Sequence, residues 1–259
     1  MTMIVVPSQS VRENARRIAA ALPAGGLVVH ATKGLERGTA KRVSEVLMEE
    51  LPQLHEGDIC ALSGPNLAPE IQRGLPAATV IAGPDADKVA TAQRLVHAAM
   101  FRAYASNDRT GVELAGSLKN VVAIAAGIAD GLQLGDNAKA GIITRGLAEM
   151  IRLGVAAGAQ PITFAGLAGV GDLIATCYSD HSRNRRTGRA IGRGEPVASA
   201  VASAGGVVEG VEATAAACAL AERLGVEMPI AQGLRRVLYE GAQPLDAIRG
   251  LLEREPARE

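Results

Sequence analysis

The sequence predicts an α/β part, a parallel sheet with helices packed on it, followed by an all-helical part. Three observations lead there. Short strand-like runs alternate with helical stretches over the first hundred or so residues. Beyond that point helical periodicity takes over, with no convincing β-rich run to interrupt it. Of the 259 residues, 48% are apolar but only 2% aromatic, with no Trp. The core must therefore be built from Ala, Val, Leu and Ile, and small side chains let helix backbones approach closely.

The expected strands are Met3–Val6, Leu27–His30, Ile59–Leu62, Thr79–Ala82 and, less distinctly, Arg102–Ala105. Helical stretches are expected at Gln9–Leu22, Thr39–Leu51 and Asp85–Ala99. Pro23-Ala-Gly-Gly and Gly83-Pro-Asp supply the turn chemistry such joints need. After Asn107, Thr110–Leu132 reads as one long helix with Leu114, Leu118, Val121, Val122 and Ala125 on a single face. Asn137–Ala157, Gly210–Leu224, Pro229–Tyr239 and Leu245–Leu252 are further helices, and Pro196–Val208 is loop or weak helix. The division predicted is residues 1–107 and 108–259.

Lys plus Arg and Asp plus Glu number 27 each, so charge offers no reason to expect nucleic acid or an anionic membrane as partner. Cys60, Cys177 and Cys218 are far apart without a CxxC, which points neither to a disulfide framework nor to zinc. The N-terminus lacks the basic and apolar regions of a signal peptide. The apolar run Val121–Ala129 falls short of the roughly 20 residues of a spanning helix. No membrane insertion and a cytoplasmic location are the expectations.

Four segments are polar where structure alone does not require it. Lys33, in Thr32-Lys33-Gly34, follows an expected strand and so faces the crevice where α/β sheets bind ligands. Taken alone, a solvated loop lysine is the commoner case. Ser63-Gly64-Pro65-Asn66 combines a glycine permitting close backbone approach with an amide at a helix start, and a plain strand-to-helix turn explains it equally well. Lys119, in Gly116-Ser-Leu-Lys-Asn, lies one position from the apolar stripe of the long helix. Partial desolvation there would lower its pKa and suit it to proton transfer, unless it snorkels from the helix flank. Fourth, Gly166-Leu-Ala-Gly-Val-Gly-Asp172 is followed by Ser182-Arg183-Asn184-Arg185-Arg186. Arginine beside the free N–H groups of a helix start is a means of binding phosphate, and a basic solvated face is the alternative. His181 has no partners at metal-ligand spacing, so no metal is expected. No G-x-G-x-x-G, phosphate-loop GK[ST], HExxH or G-x-S-x-G occurs.

Gly116-Ser-Leu-Lys-Asn-Val-Val-Ala-Ile-Ala-Ala-Gly-Ile-Ala-Asp-Gly-Leu resembles the signature of the bacterial NAD(P)-dependent glycerol-3-phosphate dehydrogenases. So do Ile143-Thr-Arg-Gly-Leu-Ala-Glu-Met, Thr163-Phe-Ala-Gly-Leu-Ala-Gly-Val-Gly-Asp-Leu, Ser182-Arg-Asn, Val208-Glu-Gly-Val-Glu and Glu227-Met-Pro-Ile. The resemblance runs from about Met3 onward. It implies a Rossmann-type sheet followed by a substrate domain like the C-terminal domain of 6-phosphogluconate dehydrogenase. It also implies interconversion of sn-glycerol 3-phosphate and dihydroxyacetone phosphate with NAD or NADP, feeding phospholipid synthesis. The catalytic acid/base would be Lys119. Substrate contacts would be Lys33, Gly64, Asn66, Asp172, Thr176, Ser182, Arg183 and Asn184, and cofactor contacts Lys33, Ala68, Arg183, Val207 and Glu209. Asn66 stands where the family often has Ser or Thr. The partners implied are a small phosphorylated substrate and, as an option, a second copy of the chain.

One departure accompanies the resemblance. The family pattern starts with a strand, glycine-rich turn and helix before the segment matching Ile4-Val-Val-Pro-Ser-Gln, so the first part of the dinucleotide-binding domain, with its G-x-G-x-x-G, is expected to be missing. Met3–Val6 would then be an uncovered edge strand, and this chain by itself would turn over slowly or not at all. The alternative class is a non-catalytic remnant that binds a phosphorylated metabolite or another subunit. A different β-hydroxyacid dehydrogenase is disfavoured, because a carboxylate substrate would not require Ser182-Arg-Asn.

Overall fold

The computed structural model describes residues 1–252; residues 253–259 of the expected helical part lie outside it. Five strands, β1 (Thr2–Ile4), β2 (Val28–His30), β3 (Ile59–Ser63), β4 (Ala77–Ala82) and β5 (Phe101–Ser106), form one sheet in sequential order. Between them lie α1 (Val11–Ile18), α2 (Val43–Glu50), α3 (Ala68–Gln72) and α4 (Ala86–Val96). Side chains alternate across the strands, so Ile4, Val28 and Ile59 pack against α1 and α2, while Val29, Cys60, Leu62 and Ile81 pack on the other face against α4. Both faces are covered, and β2 and β3 are buried at every position. The strand β1 forms one edge, with Met3 45% exposed.

The sheet is not wholly parallel: β1–β2–β3 and β4–β5 are parallel pairs, but β3 and β4 run antiparallel. Helix length explains this. The five residues of α3 rise only about 7 Å, less than the roughly 17 Å of a typical strand. The chain therefore never returns to the far end of the sheet and enters β4 from the end where it left β3. The eleven residues of α4 are long enough to make that return.

The helical part contains α5 (Arg109–Gly131), α6 (Gly135–Ala156), α7 (Pro161–Phe164), a π-turn at Leu167–Gly171, α8 (Asp172–Tyr178), α9 (Arg183–Gly192), α10 (Val197–Ala202), α11 (Glu209–Leu224), α12 (Pro229–Tyr239) and α13 (Pro244–Leu252). The start of α5 is fixed by Asp108, whose carboxylate accepts from Gly111 N (2.8 Å) and also from Thr163 Oγ1 (2.6 Å) of α7. A single apolar face was expected for α5, but nearly the whole circumference is buried and Ala125 is one of its less buried positions. By length and composition α5 could cross a bilayer, yet 94% of that apolar window is buried inside the fold. It is the central post of the helical core, packed against α6, α8, α9 and α11.

The contact between α5 and α9 is made by glycines four apart on each helix. A Cβ at Gly127 or Gly131 would overlap the carbonyl oxygens of Arg185 and Arg189; one at Gly188 or Gly192 would overlap those of Ile124 and Ile128. The backbones touch directly, as the small-residue composition leads one to expect.

Candidate active site

A cavity of roughly 680 Å³ opens where the C-terminal ends of β2 and β3 meet α5, α8, α9 and the start of α11. Lys119, midway along α5, is 6% exposed. Its ammonium donates to Asp172 Oδ1 (2.7 Å) and to Thr176 Oγ1 (2.7 Å). Asp172 and Thr176 are one turn apart on α8, so both face the lysine. Asp172 is the first residue of that helix, where a negative charge is favoured. Its other oxygen accepts from Lys33 Nζ (2.6 Å), and Lys33 also donates to the Gly64 carbonyl (2.9 Å).

One carboxylate thus holds two ammonium groups in a dry setting. Burial draws Lys119 down to about 8; Asp172 opposes that shift and the charge of Lys33 adds to it. Burial by itself would raise Asp172, but Lys119 and Lys33 outweigh it and keep the carboxyl below its ordinary value.

Across the cavity lies the N-terminus of α9. Ser182 caps it, its hydroxyl accepting from Arg185 N (3.2 Å). Arg183 is exposed at the mouth and pairs with no carboxylate among the described residues. Asn184 is buried and accepts from Gly210 N (2.9 Å) while donating to Asn120 Oδ1 (2.9 Å). A guanidinium, a buried amide and a helix start give this end of the cavity groups of the kind that bind anions.

The remaining positions singled out from the sequence fall as follows. Asn66 and Ala68 line the cavity, and the Asn66 amide lies 2.8 Å from Thr79 Oγ1 of β4. Gly64 sits behind the cavity, where a Cβ would come within 2.8 Å of the Ala78 carbonyl oxygen. Val207 and Glu209 form the rim, the Glu209 carboxylate being held by Ser8. Sequence reasoning did not single out Asn120, buried beside Lys119 and hydrogen-bonded to Asn184; its place next to the lysine was the available signal. Nor did it pick out Val5, Val6, Pro7 and Ala31, which form an apolar wall and read in sequence as strand and loop. His181 and Arg186 also reach the cavity. The three cysteines are free, and among the described residues no three His, Cys, Asp or Glu gather as a metal site.

Comparison with known proteins gives a consistent set of relatives. Residues 1–89 match the profile described as NAD-dependent glycerol-3-phosphate dehydrogenase N-terminus, and residues 108–249 match its C-terminus counterpart. The chain is 50% identical to a glycerol-3-phosphate dehydrogenase (NAD(P)+) of Dehalococcoides mccartyi, over 100% of its own length and 72% of the relative's. It is 47% identical to the same enzyme of Chlorobium limicola, over 100% of this chain and 78% of the relative. A crystal structure of glycerol-3-phosphate dehydrogenase from Coxiella burnetii superposes with a TM-score of 0.92 at 41% identity, covering 97% of this chain and 76% of that one.

Proposed function

The chain belongs to the NAD-dependent glycerol-3-phosphate dehydrogenase family, and from that premise we propose that its cavity interconverts dihydroxyacetone phosphate and sn-glycerol 3-phosphate with Lys119 as acid and base. It is an NAD(P)-linked oxidoreductase by family. Residues 1–107 would form the dinucleotide side and residues 108–259 the substrate side, and the place of work is the cytoplasm. The observation that carries this reading is the buried Lys119–Asp172–Thr176 cluster facing groups of the kind that bind anions across one cavity.

The residues present fit the nicotinamide end of a dinucleotide, while the glycine-rich turn that would seat its pyrophosphate is not in this sequence. The apolar wall of Val5, Val6, Pro7 and Ala31 suits a flat ring, and the guanidinium of Arg183, which pairs with no carboxylate among the described residues, suits a phosphate. Lys33, Ala68, Arg183, Val207 and Glu209 would hold the dinucleotide. When bound, it supplies the hydride for reduction or accepts it in the reverse direction.

The chain's own residues do the rest. Arg183, Asn184 and the helix start capped by Ser182 hold the phosphate, which places the carbonyl toward α5. Lys119, as ammonium, polarises the ketone oxygen and protonates it as the alkoxide forms. Asp172 and Thr176 orient the ammonium, and Lys33 balances the charge of Asp172 while facing the substrate. In the oxidative direction neutral Lys119 takes the hydroxyl proton. A pKa of about 8 leaves both forms accessible near neutrality.

Lys119→Ala tests the assignment. Relative to the turnover of the unsubstituted chain, which the missing glycine-rich turn is expected to make slow, the expected result is a fall of about 100-fold or more, with dihydroxyacetone phosphate binding, measured by calorimetry, changed far less. Full turnover by that variant would remove Lys119 from the chemistry.

A further inference from the structure

We propose that Ser8 is a positioning residue that closes the α/β and helical parts around the cavity through Glu209; the inference rests on the dehydrogenase reading above. Ser8 is 5% exposed and lies 201 positions from Glu209 in sequence, yet both its donors are given to that one carboxylate. Its backbone N–H reaches Oε1 at 3.0 Å, and its hydroxyl donates to Oε2. One lone pair of the hydroxyl accepts from Gln9 Nε2 (3.1 Å), while its single proton goes to Glu209. Gln9 in turn braces the loop carrying Lys33, donating to the Leu35 carbonyl (2.9 Å) and accepting from Arg37 N (2.9 Å).

From this bond two lines of contact run to opposite walls of the cavity. On one side Gly34, next to Lys33, is pressed against Ser8. A Cβ there would overlap that of Ser8 and lie 2.9 Å from Glu209 Oε2. On the other side Glu209 opens α11, and the next N–H, that of Gly210, donates to Asn184 Oδ1 (2.9 Å). A shift of Glu209 therefore carries Asn184 with it, and a shift of Ser8 releases Gly34 and Lys33. Two other ties join the same loop to α11, Arg37 with Glu212 and Arg223 Nη1 with the Thr39 carbonyl (3.2 Å), and both are exposed, so solvent weakens them. The serine bond is largely dry and two-pronged, and it sets the spacing between the ammonium of Lys33 and the phosphate clamp. Lys119 and Thr176 are not in direct contact with these residues; they meet them only through Asp172, which Lys33 also touches.

Ser8→Ala removes the hydroxyl and leaves the N–H. Losing a hydrogen bond to a charged group is expected to raise KM for dihydroxyacetone phosphate, and its calorimetric Kd, by roughly tenfold. The value of kcat should change by far less than KM. Gly34→Ala, which presses on the same bond from the other side, should reproduce the rise in KM; it carries the test if Ser8→Ala does not fold. If both variants melt earlier yet bind and turn over substrate as wild type does, Ser8 is structural only and the inference is overturned. If wild-type protein binds neither dihydroxyacetone phosphate nor inorganic phosphate, the dehydrogenase reading falls first and this inference with it.

Discussion

Adding a single methyl group at Gly188 should separate the two helices that carry the site. The Cβ of Gly188→Ala would overlap the Ile124 carbonyl oxygen and stand 2.9 Å from Ile124 C and 3.0 Å from Ile128 N. Ordinary carbon contacts lie at about 3.5–4.0 Å, so α9 must retreat from α5 by about 1 Å, because both obstacles are backbone and cannot rotate away. Overpacking of this kind costs about 1–3 kcal/mol, against a helix-propensity gain for Ala of nearly 1 kcal/mol. A net loss of up to about 2 kcal/mol would lower Tm by up to roughly 8 °C for a chain of this size. Function should suffer more. Arg183 and Asn184 stand at the first turn of α9 and Lys119 stands on α5, so the retreat widens the gap between phosphate clamp and proton donor. A misplacement of about 1 Å can cost on the order of 100-fold in rate, which would appear in kcat/KM for dihydroxyacetone phosphate. Calorimetry or circular dichroism gives Tm, and nicotinamide absorbance gives the rate. Gly141→Ala is the control: it sits on α6 with nothing within 4 Å of its Cβ, and should stabilise by up to about 1 kcal/mol. A Gly188→Ala protein as stable and as active as wild type would refute the idea that direct backbone contact sets the site's geometry.

Other outcomes follow from the charges. Lys119 titrates at about 8, so ketone reduction, which needs the ammonium, should decline above pH 8, while alcohol oxidation, which needs the amine, should rise through the same pH. Asp172→Asn removes the group that raises the lysine, and a pH–rate profile should show that limb moved to lower pH; an unmoved limb would assign it to another group. Burial pushes Glu149, which accepts from Ile230 N (2.7 Å) at the start of α12, up to about 7. A carboxyl raised on folding stabilises fully below its unfolded value near 4.5, and that contribution is lost as pH rises through 7. Glu149→Gln should therefore flatten the urea-denaturation stability profile between those limits, removing a change on the order of 3 kcal/mol. Glu113 has the opposite sign. Burial raises it, but His30, Arg42 and Ser44 overcome this and hold it at about 2. Its contribution is present above 4.5 and lost as pH falls toward 2, so Glu113→Gln should weaken the protein at neutrality and remove part of its acid-induced destabilisation.

Much of the fold was legible because its signals are local. The 3.6-residue spacing of apolar positions marks α5, α11 and α12 to within a residue or so. Ser182 before Arg183 marks the start of α9 because a hydroxyl one position ahead of a helix satisfies an orphan N–H. The aromatic-poor, Ala- and Gly-rich composition pointed to close helix packing, and the glycines of α5 and α9 provide it. The flanking apolar residues left Lys119 either desolvated or snorkelling, and the packing around α5 makes it buried. The sequence by itself therefore determined the two-part class, most element boundaries and which polar segments stand out. Only the tertiary structure decided that Asp172 meets Lys119 and Lys33 together, that Asn120 joins Asn184, and that Ser8 reaches Glu209. It also decided that β4 runs against β3, since a five-residue helix cannot carry the chain back across the sheet. The physical reason is range. Caps and periodicity are satisfied within a turn or two of chain, whereas a hydrogen bond between residues dozens or hundreds of positions apart exists only once the helices have crossed at a distance set by the side chains, here mostly glycine, lying between them.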